Sequence, residues 1–158
     1  MTIKVGDKVP AGMFTIMGAE GPSGMSTADL FDGKKVVLFA VPGAFTPTCS
    51  LAHLPGFVVH VDEIKSKGVD TVACMSVNDV FVMSAWGQSA NAEHLVMLAD
   101  GNADFTTALG LELDGTGFGM GKRSQRFAMV VDDGVVSLLN VDAGALEGSS
   151  AEAILAAL

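Results

Sequence analysis

The chain has little cysteine, little positive charge and no long apolar run, and each shortage closes off a class of function. Two cysteines, Cys49 and Cys74, in 158 residues are too few for the disulfide framework of a secreted domain. There is no CxxC and no HxxxH, and the three histidines (His53, His60, His94) are widely spread, so no metal site is expected. Nine basic residues stand against eighteen acidic ones, a net charge of −9 that argues against nucleic acid or an anionic membrane as partner. The densest basic spot is Lys122-Arg123 with Arg126. No run approaches the roughly 20 apolar residues of a membrane helix. The N-terminal MTIKVGDKVP has no apolar signal core. A cytoplasmic protein is therefore expected, although a transit sequence already removed would leave no trace. Nor is there a repeat, a low-complexity tract or a linker. The length and the 49% hydrophobic content predict one domain, residues 1–158, with a sizeable core.

What is there reads as alternating strands and helices. Met13–Met17 fits a short strand. Lys35–Val41 is a nearly continuous apolar run, the mark of a strand buried on both faces. Phe57–Lys67 spaces Phe57, Val58, Val61 and Ile64 helically. Asp70–Val77 is a second buried strand, followed by a helix over about Val80–Ala90 with Asp79 as its cap. A third strand (Leu95–Ala99) and a helix (Ala103–Leu109) come next. Phe127–Val131 and Val135–Asn140 flank Asp132-Asp133-Gly134, a hairpin signal, and SSAEAILAAL is a capped terminal helix. That order predicts an α/β fold with a central mixed β-sheet flanked by helices. A hairpin and helix after a βαβ unit suggest the thioredoxin-like arrangement.

In open α/β sheets the reactive site lies beyond the carboxyl ends of the strands. Cys49, in VPGAFTPTCS, follows the Lys35–Val41 strand and falls in that zone. A free thiol near pKa 8.5 is mostly protonated at neutral pH, and a helix N-terminus or a nearby cation favours the thiolate. Pro47 is a good first helical residue. Pro55, six residues past Cys49, is expected to break the helix and leave Cys49 on a short, weakly held turn. Thr46 precedes Cys49 by three residues, so TxxC resembles a CxxC with its first sulfur replaced by oxygen. A disulfide cannot close within this turn, and an oxidised Cys49 needs its reductant from elsewhere. From spacing alone Cys49 is also compatible with an inert buried thiol.

The segment PGAFTPTCS continuing to HLPGF, with SVNDVFVMSAW and DGTGFGMGKRSQRFAMVVDDG, resembles the type II (peroxiredoxin five-like) peroxiredoxins over nearly the whole chain. The resemblance implies a cysteine peroxidase that reduces hydrogen peroxide and organic hydroperoxides through cysteine sulfenic acid, without metal, flavin or haem. It implies Cys49 as the peroxidatic thiolate. It implies Thr46 hydrogen-bonded to sulfur and peroxide, Arg126 as the cation that favours the thiolate and polarises the peroxide, and Pro42 as a shield against water. His53 would be supporting rather than a general base. Phe45, with Phe81 and Trp86, would be a core or dimer-contact residue. A homodimer is expected only through this likeness.

Some members of the subfamily carry a resolving cysteine late in the chain, where this one reads VDAGALEGSS and has none. The possible resolving thiol is Cys74. It lies four residues before Asn78, about 13 Å of strand, and a disulfide needs Cα atoms within about 7 Å. A one-cysteine cycle with an external thiol is favoured, and the resemblance implies glutathione with glutaredoxin, or thioredoxin, as reductant. A thioredoxin-type oxidoreductase would want CxxC and a proline before the final hairpin, and the last proline is Pro55. A non-catalytic thiol sensor or holdase on the same scaffold is the other alternative.

Overall fold

Val36 to Val41 have no exposed side chain, so strand β3 (Lys35–Val41) can only be the middle of a layered structure. The computed structural model describes residues 2–158 and sets β3 inside a seven-stranded mixed sheet of order β2-β1-β5-β4-β3-β8-β9. β1 (Met13–Gly18) and β2 (Gly21–Ser26) form an edge hairpin. Helix α1 (Thr27–Phe31) follows, held by a capping box between Ser26 and Asp29. Helix α2 (Leu54–Ser66) leads to β4 (Thr71–Ser76), which pairs parallel with β3. Helix α3 (Val80–Ser89), capped by Asp79, leads to β5 (Val96–Ala99), parallel to β4.

After helix α4 (Asp104–Leu109), the short strands β6 (Glu112–Asp114) and β7 (Lys122–Ser124) make a separate antiparallel pair. β8 (Arg126–Asp132) then runs antiparallel to β3, and β9 (Val135–Asp142) returns beside it. Their turn has φ of +46° at Asp133 and +82° at Gly134, the left-handed pair that a two-residue hairpin needs. Helix α5 (Ala151–Ala157), capped by Ser150, closes the chain. The thioredoxin-like arrangement expected from the sequence is present. β2, β6, β7 and α1 go beyond that expectation. GPSGMS has no apolar alternation, and Pro22 is tolerated because β2 is an edge strand.

Strand alternation divides the core in two. Val37, Phe39, Val41, Val72, Cys74, Ala128 and Val130 face one layer, which includes Cys49 and the apolar sides of α2 and α5. Val36, Leu38, Ala40, Ala73, Met75, Phe127 and Met129 face the other. Each fully buried Leu, Val or Phe contributes about 1.5–3 kcal/mol. Phe39 and Phe57 stack with ring centroids 4.0 Å apart, seating α2 against β3. Among the described residues no helix is long and apolar enough to cross a membrane.

Candidate active site

β3 ends at Val41, and the next residues are pinned rather than loose. The Ala44 N–H donates to Asn78 Oδ1 at 3.0 Å, tying this loop to the segment after β4. Thr46 Oγ1 donates to the Gly43 carbonyl at 2.7 Å. Gly43 is crowded: a Cβ there would lie 3.1 Å from Thr46 Cγ2, 3.2 Å from Arg123 Nη1 and 3.3 Å from Met120 Cε. Phe45 takes φ +65°, a conformation that costs a non-glycine residue about 1–2 kcal/mol.

Helical structure then starts at residue 47 and runs unbroken to Ser66. The expected break at Pro55 does not occur. Cys49–His53 is instead π-helical, and the Leu54 N–H bonds to the Cys49 carbonyl, five residues back. Proline removes a donor and its ring presses on the carbonyl four residues earlier. A widened turn ahead of Pro55 relieves that pressure without ending the helix. Cys49 therefore rides on continuous helix, and its side chain is 0% exposed. The weakly held turn expected from the sequence is corrected accordingly.

β8 runs antiparallel to β3, with Ala40 opposite Phe127, so Arg126 begins β8 where β3 ends. That register brings a residue 77 positions away onto the thiol: Arg126 Nη2 donates to Cys49 Sγ at 3.1 Å. Its Nη1 donates to His53 Nδ1 at 2.8 Å, and His53 Nε2 lies 2.9 Å from the Ser149 carbonyl. A guanidinium only donates and a carbonyl only accepts, so one neutral tautomer, protonated on Nε2, satisfies both contacts. Burial, opposed by the bond to Ser149 and assisted by the Arg126 charge, lowers the His53 pKa from 6.5 to about 4. His53 is neutral at physiological pH, supports the guanidinium and does not bond the sulfur. Both Arg126 and His53 are buried.

The remaining expected residues divide. Pro42 and Thr46 line a cavity of about 230 Å³ with Leu113, Phe118 and Arg123. Pro42 also lines a second, of about 170 Å³, with Arg126 and Asp142. Thr46 makes no bond to Cys49 Sγ, because its proton goes to Gly43. Its oxygen lone pairs remain for a donor from substrate. Trp86 is buried, and its indole N–H donates to Ser50 Oγ at 3.0 Å beside Cys49. Phe45 and Phe81 are exposed, at 54% and 65%. Cys74 shares the apolar layer of Cys49, and burial, then the charge of Cys49, push its thiol well up.

Sequence reasoning missed Asn78, Ser149 and Asp142. Asn78 stands in the SVND stretch, whose sense is clear only once β4 is known to end beside β3. Among the described residues no group of three or more His, Cys, Asp or Glu comes together to hold a metal ion.

Residues 4–155 match the Redoxin family model. The chain is 50% identical to Peroxiredoxin-2B of Arabidopsis thaliana over 99% of its own length and 98% of the relative's. It is 49% identical to the chloroplastic Peroxiredoxin-2E-2 of rice (Oryza sativa subsp. japonica), over 99% of this chain and 73% of that one. Among solved structures, reduced Prx3 of Vibrio vulnificus in complex with H2O2 superposes with a TM-score of 0.96 at 57% identity, covering 99% of each chain. The cytoplasmic location expected from composition is corrected here, because a relative matching nearly all of the chain is chloroplastic. Net charge and hydropathy of the folded chain therefore do not record an address.

Proposed function

The chain belongs to the peroxiredoxins of the redoxin family, thiol-dependent peroxidases, and from that membership we infer that Cys49 is the residue on which peroxide is reduced. The observation that carries the inference is the 3.1 Å contact between Arg126 Nη2 and Cys49 Sγ. A guanidinium in contact stabilises a thiolate over a thiol. Cys49 also lies in the first turns of a long helix, whose N-terminal dipole acts in the same sense.

The thiolate attacks one peroxide oxygen. An S–O bond forms, the O–O bond breaks, and the departing oxygen leaves as hydroxide or alkoxide and takes a proton. Cys49 loses two electrons and becomes a sulfenic acid, and the peroxide becomes water plus water or an alcohol. Arg126 faces the charge developing on the oxygens, where a preplaced donor contributes most. Pro42 and Thr46, on the wall of the neighbouring cavity, keep bulk water out and offer a hydroxyl oxygen to a peroxide proton. Binding of hydrogen peroxide by the reduced Vibrio relative supports the same substrate class here. The apolar walls Leu113 and Phe118 favour organic hydroperoxides as well.

Two thiols return the sulfenic acid to thiolate. The first displaces water to form a mixed disulfide, and the second releases Cys49. The raised Cys74 thiol is a poor nucleophile at neutral pH, which supports a one-cysteine cycle with external reductant. Glutathione with glutaredoxin, or thioredoxin, supplies the electrons. The chain acts as one domain and pairs as a homodimer through the exposed aromatics beside the site, Phe45 and Phe81.

Mixing the protein with hydrogen peroxide and a thiol reductant tests the reading. Hundreds of peroxides should be consumed per chain, and Cys49→Ser should abolish the reaction. Consumption of no more than one peroxide per chain would instead mark a redox sensor.

A further inference from the structure

One acid stands beside the site with its carboxylate bonded elsewhere than to the cation. Asp142, the last residue of β9, is the register partner of Arg126. Among the described residues Arg126 nonetheless forms no ion pair. The Asp142 carboxylate is instead occupied by the loop that follows it. Its Oδ2 accepts from Glu147 N–H at 2.9 Å, from Ser149 N–H at 2.9 Å and from the Ser149 hydroxyl at 2.6 Å. Its Oδ1 accepts from Gly148 N–H at 3.0 Å. The loop 143–150 is wound around a single carboxylate, and Asn140 Nδ2 adds a bond to the Gly148 carbonyl at 2.8 Å.

The bond that this loop then makes is the one that reaches the site. Ser149, fully buried, presents its carbonyl to His53 Nε2–H. That bond fixes the His53 tautomer, and the tautomer makes Nδ1 the acceptor for Arg126 Nη1. With Nη1 held, the planar guanidinium is locked in rotation and Nη2 is directed at Cys49 Sγ. We propose that Asp142 is a positioning residue for Arg126, acting through the Ser149 carbonyl and His53. It touches neither sulfur nor substrate. A carboxylate free to swing onto the guanidinium would compete with the thiolate for the same charge, and its loop donors prevent that. Burial works against the Asp142 charge but is outweighed by bonds from Ser149, Glu147 and Gly148, which hold the carboxyl below its usual range. The acceptor therefore stays ionised through neutral pH.

The inference rests on reading Cys49 and Arg126 as the reacting pair, and its test separates the two. The full-length protein, Asp142→Asn, His53→Gln and the double variant are compared in two assays. One is the rate of hydrogen peroxide reduction with dithiothreitol. The other is alkylation of Cys49 by iodoacetamide at about pH 6, followed by mass spectrometry, which needs no peroxidase activity. Asparagine keeps only one acceptor oxygen and no charge, so even with that oxygen turned to the three-donor side its NH2 group faces the Gly148 N–H and at least one of the four bonds is lost. Asp142→Asn and His53→Gln should each slow both reactions about tenfold, the usual scale for a residue that orients a reacting group. In the double variant the losses should not multiply, because both act along one chain of contacts. Asp142→Glu, with both oxygens kept, should recover part of the loss, and it carries the test if the asparagine variant does not fold.

Rates within about twofold of wild type in the Asp142 variants, or losses that multiply in the double variant, would overturn the proposal. If the wild-type protein does not turn peroxide over while alkylation still responds to Asp142, positioning stands and the peroxidase assignment of Cys49 falls.

Discussion

At the scale of single residues two buried groups are held uncharged, and the site depends on the first of them. His53 accepts from Arg126 only as a neutral ring, and its pKa of about 4 keeps it so. An unfolded chain titrates this histidine near 6.5. Between those values the unfolded state takes up a proton that the native state refuses, so stability falls as pH drops from about 6.5 towards 4 and this contribution is flat below. The loss amounts to roughly 3 kcal/mol. Urea unfolding followed from pH 7 to pH 4 should show the decline, and His53→Gln should remove most of that slope. Cys74 is the second such group, a buried thiol held protonated. Cys74→Ser should leave turnover with glutathione and glutaredoxin within about threefold of wild type, since a thiol without thiolate character takes no part in exchange. Collapse of that turnover would make Cys74 the resolving cysteine. Sequence alone picked out Cys49 and Thr46, because a short polar stretch after an apolar strand is a local signal. Arg126 needed the resemblance as well, since its meeting with Cys49 depends on β8 running antiparallel to β3.

Among elements, the long apolar strands and the Asp133-Gly134 turn were legible, because burial on both faces and paired left-handed residues leave few alternatives. The π-helical stretch was not. Proline reads as a break in sequence, and whether the chain breaks or widens depends on what the surrounding layer demands. Here Cys49, His53 and Leu54 are all buried in or against the core, so the helix is held through the proline. The loop 143–150 was equally hidden, since nothing in DAGALEGSS says that one carboxylate gathers four donors. The Pro42–Thr46 loop leans on Asn78 in the same way. Asn78→Ala leaves the Ala44 N–H without its acceptor and should cost about 1 kcal/mol. Urea unfolding measures that cost, and the peroxide rate should fall with it as Thr46 loses its fixed place.

For the molecule as a whole, several large apolar side chains stand exposed on the segments around the site. Ala44 and Asn78 are the two ends of one hydrogen bond; Phe45 follows the first, Phe81 lies three residues past the second, and Phe118, 86% exposed, lines the same cavity as Thr46. Exposed aromatics on neighbouring segments are the kind of surface through which the proposed homodimer would form. Sedimentation velocity should give a species of twice the chain mass, and Phe81→Glu should shift it to single chains by burying an unpaired charge in the contact. A net charge of −9 would oppose such an association through long-range repulsion, so added salt should strengthen the proposed dimer.

The π-helical turn also fixes the counting of the chain. It holds one residue more than an α-turn would, and each helical residue carries about 100° of rotation. Deleting a single residue between Cys49 and His53 would remove the widened turn, press the Pro55 ring back onto the turn before it, and swing everything ahead of it by that angle. Cys49 would leave Arg126 while Pro55 and α2 stayed in place. The length of this segment is thus set by the phase between two side chains, and a more regular helix here would be a silent one.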